Sequence, residues 1–390
     1  MSYAKLDSVT KMLDYLEKNI DEKHCEETEK RQLDAIYFKP NVILPLAIMV
    51  KPQEELLPRD EAFYNPEIML HNELLESEPD LGNLINSVDI KDDYPLHIRC
   101  FHGIAMNHSV LGGEYRVDKT NQPWCLPLDI SLSEYRRKWE DKLIKVSENR
   151  VVKTVVESYE YFKYRLSDYP KCSKYIRLTP PNFNSPFSTA QSFIGNDLFM
   201  EMYDNPDNVH WLMKRVTDLY LETFKLFKPL MNNYTADGKS IYIHGNIWPC
   251  ETILKNDTAV AMLSEEHYKT FSRPYDEIIA RELGSVCLHY CGKTQPFHNE
   301  IIKIPEMTSI NFGNPEMQDI ETVINVWNKN KIAIIAWGNK KPPKFLYDTV
   351  LGRNLTGFSL NCLMQDKEEA VDFMKRYRED YADMPGGTEK

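Results

Sequence analysis

Three residues have the types and spacing of a metal centre: His289, Cys291 and Cys362. An imidazole with two thiolates suits zinc, and three protein ligands leave one coordination position open, which is the catalytic rather than the structural pattern. His289 and Cys291 stand at i and i+2 where the apolar run 286–289 ends, and residues two apart on extended backbone point to the same side. Cys362 follows the predicted strand 357–360 by two positions. Asp257 is a candidate fourth, displaceable ligand or a carboxylate that orients substrate, and Glu251 could take either role. His244, ending the predicted strand 241–244, is a candidate general acid or hydrogen-bond partner of a ligand. Asn182, Asn184 and Ser185 end another predicted strand; with Trp248 and Trp124 they are candidate substrate contacts. His102 and His108 are further candidates on the N-terminal part of the same rim. Each has a plainer alternative as a core histidine, a helix cap or a solvated loop residue. Cys287 is expected one layer deeper than His289, in the core. Cys25, Cys100, Cys125 and Cys172 are expected to be buried thiols.

These residues need a frame that brings strand ends together. From Tyr94 onward, β-like runs at 96–101, 175–178, 241–244, 286–289, 308–312, 332–337 and 357–360 alternate with helical stretches. Ser264 reads as an N-cap, with Glu265 and Glu266 in the first turn, and Gly284 ends that helix. Such alternation implies parallel βαβ units, and the strand count suits a (β/α)8 TIM-type barrel, an α/β fold, better than an open sheet. No G-x-G-x-x-G follows any strand, so a doubly wound nucleotide-binding sheet lacks its usual signature. In a barrel, functional side chains project from the C-terminal strand ends, where His289, Cys291 and Cys362 fall. Residues 1–90 are helical and acidic, with Leu6, Val9, Met12, Leu13, Leu16 and Ile20 at helical spacing, and are expected to form an added layer packed on the barrel, 91–383. The tail 384–390 is expected to be disordered.

The 390 residues are 42% apolar with 11% aromatics, enough to fill a sizeable core. A formal charge of −12 argues against nucleic acid and anionic membrane as partners, since both require a basic face. No run reaches the roughly 18 to 20 apolar residues of a membrane span; 42–50 is far shorter and reads as a buried strand. With no apolar signal core and eight irregularly spaced cysteines, the chain is expected in the cytoplasm, with free thiols.

The segment His-Tyr-Cys-Gly at 289–292, with Asp-Thr-Ala-Val-Ala-Met-Leu-Ser at 257–264 before it, resembles the uroporphyrinogen decarboxylase superfamily. Ser185-Pro186-Phe187 with Gly195, and Pro123-Trp124, are also similar to family segments. The resemblance spans roughly residues 95 to 380. Its zinc methyltransferases carry His-x-Cys near this point and a second Cys close to the C-terminus, positions that His289, Cys291 and Cys362 match. It therefore implies a Zn2+-dependent enzyme moving a methyl group between a small methylated substrate, or a thiol, and the corrinoid (cobalamin) of a partner protein. The decarboxylases' N-terminal Arg-rich substrate motif is absent, and that reaction would leave two cysteines and a histidine idle. A metal-independent decarboxylase of a porphyrinogen or smaller acid, and a non-catalytic corrinoid-protein-binding barrel with structural zinc, are the rival readings. A barrel glycosidase would need paired carboxylates across one cleft, and too few acids fall at strand ends.

Overall fold

In the computed structural model, residues 3–40, 42–50, 55–76, 84–293, 298–339 and 355–382 are described. Twelve strands are assigned among them: β1 (Leu46–Val50), β2 (His97–Arg99), β3 (Tyr115–Arg116), β4 (Trp124–Cys125), β5 (Arg177–Thr179), β6 (Ile241–Ile243), β7 (Asn246–Trp248), β8 (Thr252–Lys255), β9 (Val286–Tyr290), β10 (Met307–Phe312), β11 (Ala333–Asn339) and β12 (Phe358–Met364). β1, β12, β11, β10, β9 and β8 form, in that order, a six-stranded sheet paired in parallel throughout. β2 and β5 form a second parallel pair. The two pieces meet at a parallel bridge between Asn184 and Lys255, where the Ser185 amide donates to the Lys255 carbonyl at 3.0 Å. Helices follow most of these strands, as in Pro206–Phe227 before β8 and Arg273–Leu283 before β9. A parallel sheet faced by helices on this scale is consistent with a TIM-like fold.

The free edge of β1 is satisfied by side chains. The Leu46 amide donates to the Asp93 carboxylate at 3.0 Å, and the Ile48 amide to that of Asp92. Both aspartates are 1% exposed, so carboxylates supply the acceptors that a ladder strand would otherwise offer.

The described residues before Tyr94 supply helices and one strand of the sheet. Val9, Met12, Leu13 and Leu16 of helix Tyr3–Asn19, with Ile20 just beyond it, are buried in the same apolar cluster as Ile98, Leu178 and Leu360. β1, also within this segment, pairs with β12. The expected tail 384–390 lies outside the described residues.

One expected strand has a different role. β6 pairs antiparallel with β7 in a tight hairpin, not with the parallel sheet. Its turn, His244-Gly245, has both residues at positive φ (49° and 69°), the geometry of a hairpin whose twist matches its strands. The parallel strand of this region is β8, where Thr252, Ile253 and Leu254 are all buried. No described helix is long and apolar enough to cross a membrane.

Candidate metal centre

β9 lies between β8 and β10, and the ladder aligns Lys255, His289 and Asn311 across three strands. Leu288 and Tyr290 point into the apolar cluster, so alternation turns His289 the other way. His289 Nδ1 donates to Asn311 Oδ1, and Asn311 Nδ2 donates to the Ile335 carbonyl at 2.7 Å, which fixes the amide with its oxygen toward the ring. The Nε2 lone pair is thereby left facing the cavity. Cys291, just past the strand, is exposed; its amide donates to Asp257 Oδ1. Asp257 begins helix Asp257–Met262 at the end of β8.

The preceding Asn256 ties these parts together. Its amide donates to the His289 carbonyl at 2.8 Å, and its side chain accepts from Ser185 and donates to Ser272 and Asp276.

His289 Nε2 lies 3.6 Å from Asp257 Oδ1 and 3.8 Å from Cys291 Sγ. Zinc bonds of roughly 2.0 to 2.3 Å at tetrahedral angles separate N, O and S donors by about 3.4 to 3.6 Å. These three side chains can converge on one ion with only small adjustment, and they form a candidate metal-ligand group within 4.8 Å. The electrostatics fit as well. Burial lowers the pKa of His289, favouring the neutral imidazole that a metal requires. Burial and the neighbouring Asp257 carboxylate push the Cys291 thiol up to about 12. A cation between them would reverse that penalty by stabilising the thiolate.

Cys362 is not brought to these donors. The structure continues β12 to Met364, beyond the expected end at 360, so alternation places Leu360, Cys362 and Met364 in the apolar cluster while Asn361 and Leu363 face the cavity. Cys362 is 1% exposed and is a core thiol; Asp257 stands where a second thiolate was expected.

The group opens into a cavity of about 690 Å3 at the strand ends. Of the other expected residues, Asn182, Asn184, His244 and Trp248 line it. Glu251 does not: it precedes β8, at the opposite strand end from Asp257, and binds Lys228 at 3.1 Å and Tyr234 at 2.6 Å. Ser185 is fully buried and caps helix Pro186–Ile194, its hydroxyl donating to Asn256. Trp124 sits on the small β3–β4 pair and is 69% exposed, while Gln122, two residues earlier, reaches the cavity. His102 and His108 bind backbone carbonyls of Phe63 and Leu126 and are structural. Cys287 is a core thiol, as expected.

Arg99, Lys255, Asn311 and Asn361 also line the cavity, and the sequence reading missed them. Arg99, Asn311 and Asn361 are themselves buried, on strands buried along nearly their whole length, and Lys255 is the half-buried last residue of β8, so no apolar–polar alternation marks the face they share.

No family model matches the chain, and no curated protein matches it. Among solved structures it is similar to a methyltransferase from Methanosarcina mazei, with a TM-score of 0.61 at 12% identity, over 91% of this chain and 99% of that one. At that identity the likeness concerns the fold.

Proposed function

We propose that the chain is a zinc-dependent methyltransferase, moving a methyl group between a small methylated substrate, or a thiol, and a corrinoid protein. The observation that carries this reading is the convergence of Asp257, His289 and Cys291 on one point at the mouth of a large strand-end cavity. A structural zinc site would be closed by a fourth protein donor; among the described residues the group has three. The similar fold of a protein named a methyltransferase supports the same reading, as does the resemblance of 257–264 and 289–292 to the zinc methyltransferase branch. The eight parallel strands β1, β2, β5 and β8–β12 are proposed to complete a (β/α)8 barrel around the cavity. The eight free thiols suit the reducing interior of a cell.

His289 Nε2, Cys291 Sγ and a carboxylate oxygen of Asp257 would hold the ion. Zinc supplies Lewis acidity there, polarising the atom that carries the methyl group or favouring a substrate thiolate. Asn311 holds the imidazole in the tautomer that presents Nε2, and Asp257 also fixes the backbone of Cys291. Met49, Phe101, Phe312 and Leu363 give the cavity apolar surface that excludes water from the reacting atoms.

Metal analysis of reduced, purified protein tests the reading. About one zinc per chain is expected, with an absorbance change when Co(I) corrinoid protein and a methylated substrate are supplied together. Equal activity in chelator-stripped, metal-free protein would overturn it.

A further inference from the structure

An irregularity in the sheet lies two strands from His289. β11 and β12 are in register at Ile334 with Phe358 and again at Trp337 with Leu360, so Ile335 and Ala336 together stand opposite Ser359 alone. This is a β-bulge, an extra residue that bends one strand and leaves a ladder amide without its usual partner. As a result Ile334 and Trp337, three residues apart, both lie in the apolar cluster of Phe358 and Leu360, while Ile335 joins a second buried cluster. Ser359 alternates with Phe358 and Leu360 on β12, facing the other way, and has no exposure to solvent.

The Ser359 hydroxyl serves the bulge. Its Oγ accepts from the Ala336 amide at 2.9 Å, and the carbonyl of the same peptide group, that of Ile335, accepts from Asn311 Nδ2 at 2.7 Å. A trans peptide is planar, with its N–H and C=O pointing opposite ways, so holding the N–H fixes the direction of the C=O. Asn311 in turn accepts from His289 Nδ1. Ser359, the 335–336 peptide, Asn311 and His289 therefore form one line across the neighbouring strands β12, β11, β10 and β9.

That peptide is held against its own preference. Ala336 has a φ of 54°, in the left-handed region that is costly for a residue with a Cβ. Turning the peptide over would carry Ala336 back to negative φ and point the Ile335 carbonyl away from Asn311. Strained backbone of this kind persists only where its surroundings over-determine it, and here the Ser359 and Asn311 bonds do so. We infer that Ser359 is a positioning residue of the metal centre: by holding the 335–336 peptide it sets the Asn311 amide, and so presents His289 Nε2 to a divalent ion. The inference rests on the zinc reading proposed above in taking His289 as a metal ligand, and not on which group is transferred.

Ring 15N NMR of the zinc-free, full-length protein reads the tautomer without requiring turnover, at a pH where the imidazole is neutral and with His289 assigned by the signal lost in His289→Gln. Wild type is expected to carry the proton on Nδ1 alone. Ser359→Ala is expected to show both tautomers and to lose roughly ten- to 100-fold in zinc affinity by chelator competition. Adding Ala336→Gly to Ser359→Ala should return the affinity to within about threefold of wild type, because glycine holds a positive φ without the hydroxyl's help. Ser359→Thr and Ser359→Val repeat the comparison at equal volume even if the alanine variant fails to fold. The threonine variant is expected to match wild type, and the valine variant to lose the tautomer and the affinity. A lowered melting temperature in Ser359→Ala with tautomer and zinc affinity unchanged would overturn the inference, as would equal behaviour of the threonine and valine variants. Wild-type protein that binds no zinc would remove the methyltransferase reading, while the tautomer comparison would still decide the role of Ser359. Zinc binding and methyl transfer that survive Ser359→Ala unchanged would do the reverse.

Discussion

His289 and Asn311 face each other across the β9–β10 ladder, and the bond from His289 Nδ1 to Asn311 Oδ1 aims Nε2 at Asp257 and Cys291. The Asn311 amide is itself held by the Ile335 carbonyl, so a chain of two hydrogen bonds decides which ring nitrogen is free. Partners of this kind typically contribute 10- to 100-fold in metal affinity. Asn311→Leu is expected to weaken zinc binding by about that factor while leaving the fold intact, as read by chelator competition against circular dichroism. Unchanged zinc affinity would show that the ring is oriented by something else.

Gly313 gives an independent probe of the same centre. A Cβ at this position would lie 2.4 Å from Cys291 Sγ, and contacts below 3.0 Å essentially never occur. Gly313 is exposed, so there is little else for the methyl group to disturb. Gly313→Ala is expected to push the sulfur by at least about 0.6 Å and to cost on the order of 100-fold in turnover, the scale of an ångström misplacement at a reacting centre. The melting temperature should stay within a few degrees of wild type. Wild-type turnover in this variant would mean that Cys291 takes no part.

The two cysteines that looked equivalent in the sequence should behave differently. Cys291→Ser is expected to lose stoichiometric zinc, because the thiolate donor is gone. Cys362→Ala should keep its zinc and lose about 1 kcal/mol of stability, the scale of removing one buried heavy atom. Loss of zinc from Cys362→Ala alone would restore Cys362 as a ligand and displace Asp257.

That contrast also shows what the sequence made legible. His289 and Cys291 could be placed side by side because two-residue spacing has one meaning on extended backbone, and the adjacent apolar run located the strand end. Cys362 went astray by a parity error: the apolar pattern does not mark where β12 stops, and a strand running on to Met364 turns every second side chain to the other face. Glu251 was misplaced because β8 was not seen, which put its residue at the wrong end of a strand. Arg99, Lys255 and Asn311 were missed because their strands are buried almost throughout, so no apolar–polar alternation marks the face that lines the cavity. The helix Tyr3–Asn19 was readable from its 3.6-residue stripe. The β1–β12 pairing was not, since nothing local specifies a partner more than 300 residues away.

Linked to the His289 strand through Asn256, Asp276 makes stability depend on pH in a way that can be measured. It is fully buried, its Oδ2 accepts from Asn256 and Ser272, and burial pushes its carboxyl up to about 8 from 3.8. Between those values the folded protein keeps a proton that the unfolded chain has released. The stabilising contribution is therefore full below about pH 4 and is lost as the pH rises to about 8. Asp92, buried against the β1 amides and held at about 7 chiefly by burial, acts in the same direction over a narrower window. Asp276→Asn keeps an oxygen for the Asn256 donor and cannot ionise. Its melting temperature relative to wild type is expected to rise steadily between pH 5 and pH 8.5, by several degrees in all. A constant gap across that range would mean that Asp276 is already ionised in the folded state. In that case Asn256, which bonds both Asp276 and the His289 carbonyl, would be anchored by a charge rather than by a neutral acid.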